Sequence, residues 1–174
     1  SKGFALARNI PLIEVNHLQA HVLVHFIRKK DEGSGGPSFP FLCLLVSGGH
    51  TRIILLKSHL EMETLGNTID DAAGEALDKG ASLLGLGYPG GPVIEKTARE
   101  GNPQFVRFAR GLASSRSSGD DRSLCFSYSG VKTSLKYYLK DHPETETDGT
   151  FADVVASYQE AILDALVQRF EDAI

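Results

Sequence analysis

"FPFLCLLVSGGHTRIILL", Phe39 to Leu56, places two apolar runs on either side of Ser47-Gly48-Gly49. Leu, Ile, Val and Phe fill both runs, and a small flexible tripeptide joins them. That composition and turn chemistry predict a β-hairpin. Immediately downstream, "NTIDDAAGEALDKGASLLG", Asn67 to Gly85, reads as a helix. Thr68 and Asp71 have capping-box spacing, Glu75 can pair with Lys79, and Gly85 marks the end. "GLGYPGGP" follows as a turn into the helix "PVIEKTARE". A hairpin followed by helices that alternate with glycine turns argues for an α/β class.

Upstream, "KGFALARNIPLIEVNHLQAHVLVHFI" predicts the end of one helix, a short strand at Pro11 to Val15, and a second helix capped by Asn16. "KKDEGSGGPSFP", Lys29 to Pro40, is charged and then rich in Gly, Ser and Pro, which suits a boundary or exposed loop. Downstream, residues 101 to 125 read as loop, "FSYSGVKTSLKYYLK" leads into a helix, and Phe151 to Ile174 is a long amphipathic helix.

At 174 residues and 41% hydrophobic, the chain can bury the core of one domain. A net charge of −4 argues against holding nucleic acid by bulk charge and leaves room for a local basic patch. The sole methionine is Met62, so the sequence reads as an excerpt or processed product. Cys43 and Cys125 stand in apolar surroundings without metal-type spacing, as buried thiols of a reduced compartment do. No apolar run approaches the roughly 20 residues of a membrane helix, so a soluble, cytoplasmic protein is expected.

Three constellations bear on chemistry. His17 and His21 lie four residues apart, on one face of the predicted helix, and can present two imidazoles to one ion. The intervening residues are Leu18, Gln19 and Ala20, so the glutamate base of a zinc peptidase is missing. Interfacial histidines on a partly buried helix explain the spacing equally well. His25 lies a further turn away and reads as a packing or rim residue. The hairpin turn can offer successive backbone amides to an anion, with Ser47 adding a hydroxyl, although an ordinary Gly-Gly turn explains it too. Asp70, Asp71 and Glu75 suit the first turn of their own helix. Asp78 lies deeper in that helix, where it can accept from ribose hydroxyls or be plain surface. Gly90 and Gly91 form a turn for a flat ligand face, with Glu95 in the next helical turn. Arg107, Arg110, Arg116, Arg122 and Lys132, beside Phe105, Phe108, Phe126 and Tyr128, can meet an RNA backbone and stack bases, although a plain solvated basic loop explains them too.

In order, "PLIEVNHLQAH", "FPFLCLLVSGGHTRI", "TIDDAAGEALDK" with "LGLGYPGGP", and "FSYSGVKT" resemble the tRNA adenosine threonylcarbamoyltransferase family, once called O-sialoglycoprotein endopeptidases. The resemblance runs nearly end to end and favours the bacterial and organellar branch, since Leu45 stands where the archaeal pattern has tyrosine. It implies an actin-like/Hsp70-like (ASKHA) ATPase fold, here partial: the end of a first lobe at 1–36 and the first part of a second lobe at 37–174. It implies transfer of threonylcarbamoyl from threonylcarbamoyl-AMP to N6 of adenosine 37 in tRNAs reading ANN codons. It further implies one divalent metal ion, iron or zinc, on His17 and His21. Leu45, Val46, Ser47, Gly48 and Gly49 would cradle the phosphate or threonylcarbamoyl end of that adenylate or of an ATP-like nucleotide. Asp78, Gly91 and Glu95 would hold ribose and base. Expected partners are tRNA, a paralogous ASKHA protein and a small ATPase. The family's N-terminal phosphate loop, its "GGV-x-x-N" turn and an aspartate third metal ligand have no match here, so this stretch alone is expected to be inactive. A non-catalytic scaffolding paralogue is the competing reading.

Overall fold

A computed structural model describes residues 2–27, 36–111 and 122–174. They form two compact units, Ser1–Phe39 and Pro40–Ile174.

In the first unit, α1 (Lys2–Arg8) ends where Asn9 takes a positive φ of 51°, the left-handed conformation that closes a helix. α2 (His17–Leu23) starts as its sequence predicts. The Asn16 side chain accepts hydrogen bonds from the amides of Leu18 (3.0 Å) and Gln19 (3.2 Å). A 3-10 turn, Val24–Phe26, follows, and Phe26 stacks on Phe39 with ring centroids 5.2 Å apart. The strand expected at Pro11 to Val15 is absent. This segment is exposed and forms no regular element, and no strand among the described residues pairs with it. β propensity without a neighbouring ladder does not make a strand.

In the second unit, β1 (Phe41–Val46), β2 (Thr51–Leu56) and β3 (Met62–Asn67) form an antiparallel meander in the order β1-β2-β3. The hairpin register runs from Phe41 opposite Leu56 to Val46 opposite Thr51. A bulge between Ile53 and Ile54 shifts the β2–β3 pairing. It also explains why these two consecutive residues are both buried, since a bulge resets the in–out alternation. The loop at 124–126 continues along β3: Thr68 and Phe126 form a parallel bridge, and the Phe126 amide donates to the Asn67 carbonyl (3.0 Å).

Four helices pack with the sheet: α3 (Ala73–Leu83), α4 (Gly90–Ala98), α5 (Ser129–Asp141) and α6 (Phe151–Asp172). α6 supplies Val154, Val155, Tyr158, Ala161, Ile162, Ala165 and Leu166 to the core, a helical-period stripe. Tyr158 donates its hydroxyl to the Ala76 carbonyl (2.7 Å), and its ring lies over Gly80 so closely that any Cβ there would overlap it. Gly80 is therefore the contact point where α3 meets α6. Cys125 is buried, as expected, whereas Cys43 is only half-buried. Among the described residues no helix is long and apolar enough to cross a membrane.

Candidate functional site

His17 and His21 are brought together by the first turn of α2. Their Nε2 atoms are 3.2 Å apart and their rings are edge to face. Two nitrogens bound to one tetrahedral ion by bonds of about 2.0–2.1 Å lie about 3.3 Å apart. The observed separation fits a shared ion as well as it fits a single N–H···N bond. Both rings are exposed, so a ligand can reach them. His25 falls in the 3-10 turn, off the α2 ladder, and does not join the pair. Among the described residues no group of three or more His, Cys, Asp or Glu is gathered as a metal site.

The hairpin turn is built more tightly than its glycines suggest. Ser47 donates its amide to the His50 carbonyl (2.8 Å), and its Oγ accepts from the His50 amide (3.1 Å). The Ser47 amide is thus already used. The amides of Gly48 and Gly49 have no backbone partner among the described residues, and space is open where their side chains would be. Behind the turn, Gly74 presses its α-carbon against Ser47 and Gly48, and a Cβ there would collide with their backbone. The fully buried Thr51 accepts the Ala73 amide on Oγ1 (2.8 Å), which locks the start of α3 to the hairpin. Thr51 and Gly74 therefore position the turn. Sequence reading missed both, because neither residue has a local role that spacing reveals.

The acidic cluster is used differently from its sequence reading. Thr68 and Asp71 do not form a capping box: Thr68 Oγ1 donates to the Asp71 carbonyl (2.6 Å), and α3 begins only at Ala73. Asp70 does not serve its own helix. Its carboxylate accepts from Ser127 Oγ (2.6 Å), Ser129 Oγ (2.8 Å) and the Tyr128 amide (2.7 Å), capping α5 from 58 residues away. Partial burial alone would raise its pKa, but these hydrogen bonds outweigh it and hold the carboxyl below the usual range. Asp71 lies between Lys79 (2.7 Å) and Lys132 (3.3 Å). Burial again opposes ionisation there, and the two lysines win, so its carboxyl is also held low. Of the three acids, only Glu75 occupies the first turn of α3.

Asp78 Oδ1 accepts the Gly90 amide (2.7 Å) and so caps α4. Gly90 and Gly91 are the first two residues of that helix, which starts before Pro92, and are not a free turn. Gly90 is buried against the backbone of Leu77 and Asp78, with no room for a Cβ. Gly91 is open, touched only by the Leu77 methyl at 3.9 Å from an ideal Cβ. Glu95 is exposed and paired with Arg99 (2.7 Å). The structure thus places Asp78 and Gly91 side by side at the start of α4, with Glu95 one turn on.

The arginine–aromatic arrangement does not form. Phe108, Phe126 and Tyr128 are core residues, because each is large enough to fill space between the sheet and α5–α6. Arg110 is bound to Asp164 (2.6 Å), and Arg116 lies outside the described residues. Phe105 and Arg107 remain exposed.

The family model described as tRNA N6-adenosine threonylcarbamoyltransferase matches residues 1–174. Curated relatives with that name include one from Porphyromonas gingivalis, 51% identical over 99% of this chain and 49% of its own length. Another, from Phocaeicola vulgatus, is 48% identical over 99% of this chain and 50% of its own. A third, from Clostridium kluyveri, is 46% identical over 97% and 47%. The chain spans about half the length of the curated relatives it matches. A match along every residue, with ordered motifs on the elements just described, means that the chain belongs to the tRNA N6-adenosine threonylcarbamoyltransferase family.

Proposed function

We propose that the protein carrying this chain transfers threonylcarbamoyl from threonylcarbamoyl-AMP to N6 of adenosine 37 in tRNAs that read ANN codons. The observation that carries the reading is the His17–His21 pair, with facing nitrogens 3.2 Å apart, in a chain matched throughout by this family. In this reading the residues are the end of the first lobe and the first part of the second lobe of an ASKHA fold, with 1–36 in one and 37–174 in the other.

His17 and His21 would hold one divalent ion, iron or zinc, since imidazole accepts both. When bound, that ion supplies Lewis-acid polarisation of the mixed anhydride. The hairpin from Leu45 to Gly49 presents the Gly48 and Gly49 amides to the phosphate or threonylcarbamoyl oxygens, preorganised by Thr51 and Gly74. Asp78 keeps one carboxylate oxygen beyond its bond to Gly90, enough to accept a ribose hydroxyl. Gly91 offers bare backbone to the sugar or base, and Glu95 accepts from the other side. The N6 nitrogen forms a bond to the carbamoyl carbon, the carbon–oxygen bond to phosphate breaks, AMP leaves with the electron pair, and N6 gives up one proton to solvent. A cytoplasmic setting, a paralogous ASKHA partner and a small ATPase belong to the same reading.

A scaffolding paralogue needs no pair of imidazoles at this separation, so the pair favours catalysis. The test supplies the complete natural polypeptide with threonylcarbamoyl-AMP and its accessory proteins. Substrate tRNA should be modified, and tRNA with another base at position 37 should not. Equal modification of both tRNAs overturns the reading.

A further inference from the structure

α5 displays Lys132, Lys136 and Lys140 at four-residue intervals. Each step rises about 6 Å and turns about 40°, so the three ammonium groups form a gently winding row along the helix. Val131 and Leu135, on the neighbouring face, are buried in the core. α3 lies alongside and adds Lys79 to a groove of about 440 Å³ that Lys132, Thr133, Lys136 and Tyr137 also line. Two carboxylates, Asp71 and Glu75, stand at one end, and both are engaged by Lys79. Lys136 and Lys140 have no acidic partner among the described residues. The groove is therefore cationic in a chain whose net charge is −4. Tyr137 stands 60% exposed at its wall.

We infer that the α3–α5 groove, with the turn of α5 beyond it, is a nucleic-acid contact, in which Lys136 in the groove and Lys140 one turn further along α5 neutralise successive backbone phosphates and Tyr137 stacks on a base or ribose. A regular row of cations matches a regular row of phosphates. An exposed phenol beside lysines serves single-stranded or looped RNA. An acidic protein segment would use the lysines and leave the ring idle. The identity of the polyanion as tRNA rests on the function proposed above. This groove replaces the arginine–aromatic contact expected from sequence, in which Phe108, Phe126 and Tyr128 are buried.

The test measures tRNA affinity of the complete natural polypeptide against salt, for the parent, Lys136→Gln/Lys140→Gln, Tyr137→Ala and Lys96→Gln. Lys96 is an exposed α4 lysine away from the groove, and controls for charge loss alone. The double lysine variant should bind roughly tenfold more weakly at low salt, with the slope of log K against log salt reduced by about 2. Tyr137→Ala should weaken binding without changing the slope, and Lys96→Gln should change neither. Slope and affinity equal to the parent in the double variant overturn the inference, as does equal weakening in Lys96→Gln or a parent that does not bind tRNA. Tight capture of poly-glutamate by the parent, lost in the double variant while tRNA binding persists, assigns the groove to an acidic protein and overturns it too. Transfer activity of the parent is recorded in parallel. An active parent with unaffected variants sinks only the groove. An inactive parent whose tRNA binding depends on these lysines sinks only the transferase reading.

Discussion

Asp70 shows how far a residue's work can lie from its sequence neighbours. Two serine hydroxyls and two backbone amides from the start of α5 converge on its carboxylate. Asp70→Ala should cost about 1 kcal/mol, within the range for lost helix caps, measured by chemical denaturation. Because the folded carboxyl titrates below its unfolded value of 3.8, the unfolded state binds a proton first as pH falls. Its contribution is present above about pH 4 and fades as pH drops through the folded value. The parent should thus lose stability in acid more steeply than Asp70→Ala; parallel pH curves would contradict the assignment. At the same scale, the proposed ion is checked by metal analysis of the complete polypeptide: iron or zinc should be present in the parent and lost in His17→Ala/His21→Ala. Retention of metal would remove these residues as its holders.

Elements were legible where the chain carries its own punctuation. The β1–β2 hairpin announces itself by two apolar runs and Ser47-Gly48-Gly49, and α2 by Asn16. β3 does not, because Met62–Asn67 has a half-polar sequence with a glycine, and only pairing with β2 makes it a strand. Pro11 to Val15 shows the reverse, a good strand sequence without a neighbour. For the candidate site, sequence pattern singled out residue types such as His17, His21, Asp78 and Gly91, and the structure brings the two histidines within 3.2 Å. Its supports were not singled out, since Thr51 acts on Ala73 from 22 residues away. Contacts between α3 and α6 were equally invisible, and they give an element-scale prediction. Gly80→Ala pushes a methyl into the Tyr158 ring, which is fully buried and cannot retreat. Overpacking of this kind costs about 1–3 kcal/mol, despite the better helix propensity of alanine. A midpoint equal to or above that of the parent would show that α6 can shift.

At the scale of the whole molecule, the second unit is organised around a few long-range fastenings. Asp70 ties the loop after β3 to α5, Asp78 ties α3 to α4, and Thr51 ties the hairpin to α3. Each joins elements of the candidate site to one another, so damage to packing should reach it. Gly74→Ala forces the start of α3 away from the Ser47–Gly48 turn, and should weaken adenylate binding by the complete polypeptide as well as stability. Unchanged affinity, measured calorimetrically with a non-reactive adenylate analogue, would separate the turn from the ligand.

The buried phenols have a practical consequence. The chain has five tyrosines and no tryptophan, so its near-ultraviolet spectrum belongs to tyrosine. Tyr128 and Tyr158 are sealed in the core, and burial, reinforced by the nearby carboxylates Asp70 and Asp71 respectively, pushes both far above the ordinary phenol range. On alkaline titration these two should stay dark until the fold itself yields, then ionise together in one cooperative step. The colour of the phenolate thus becomes an optical clock for the opening of the helical core, with no label attached.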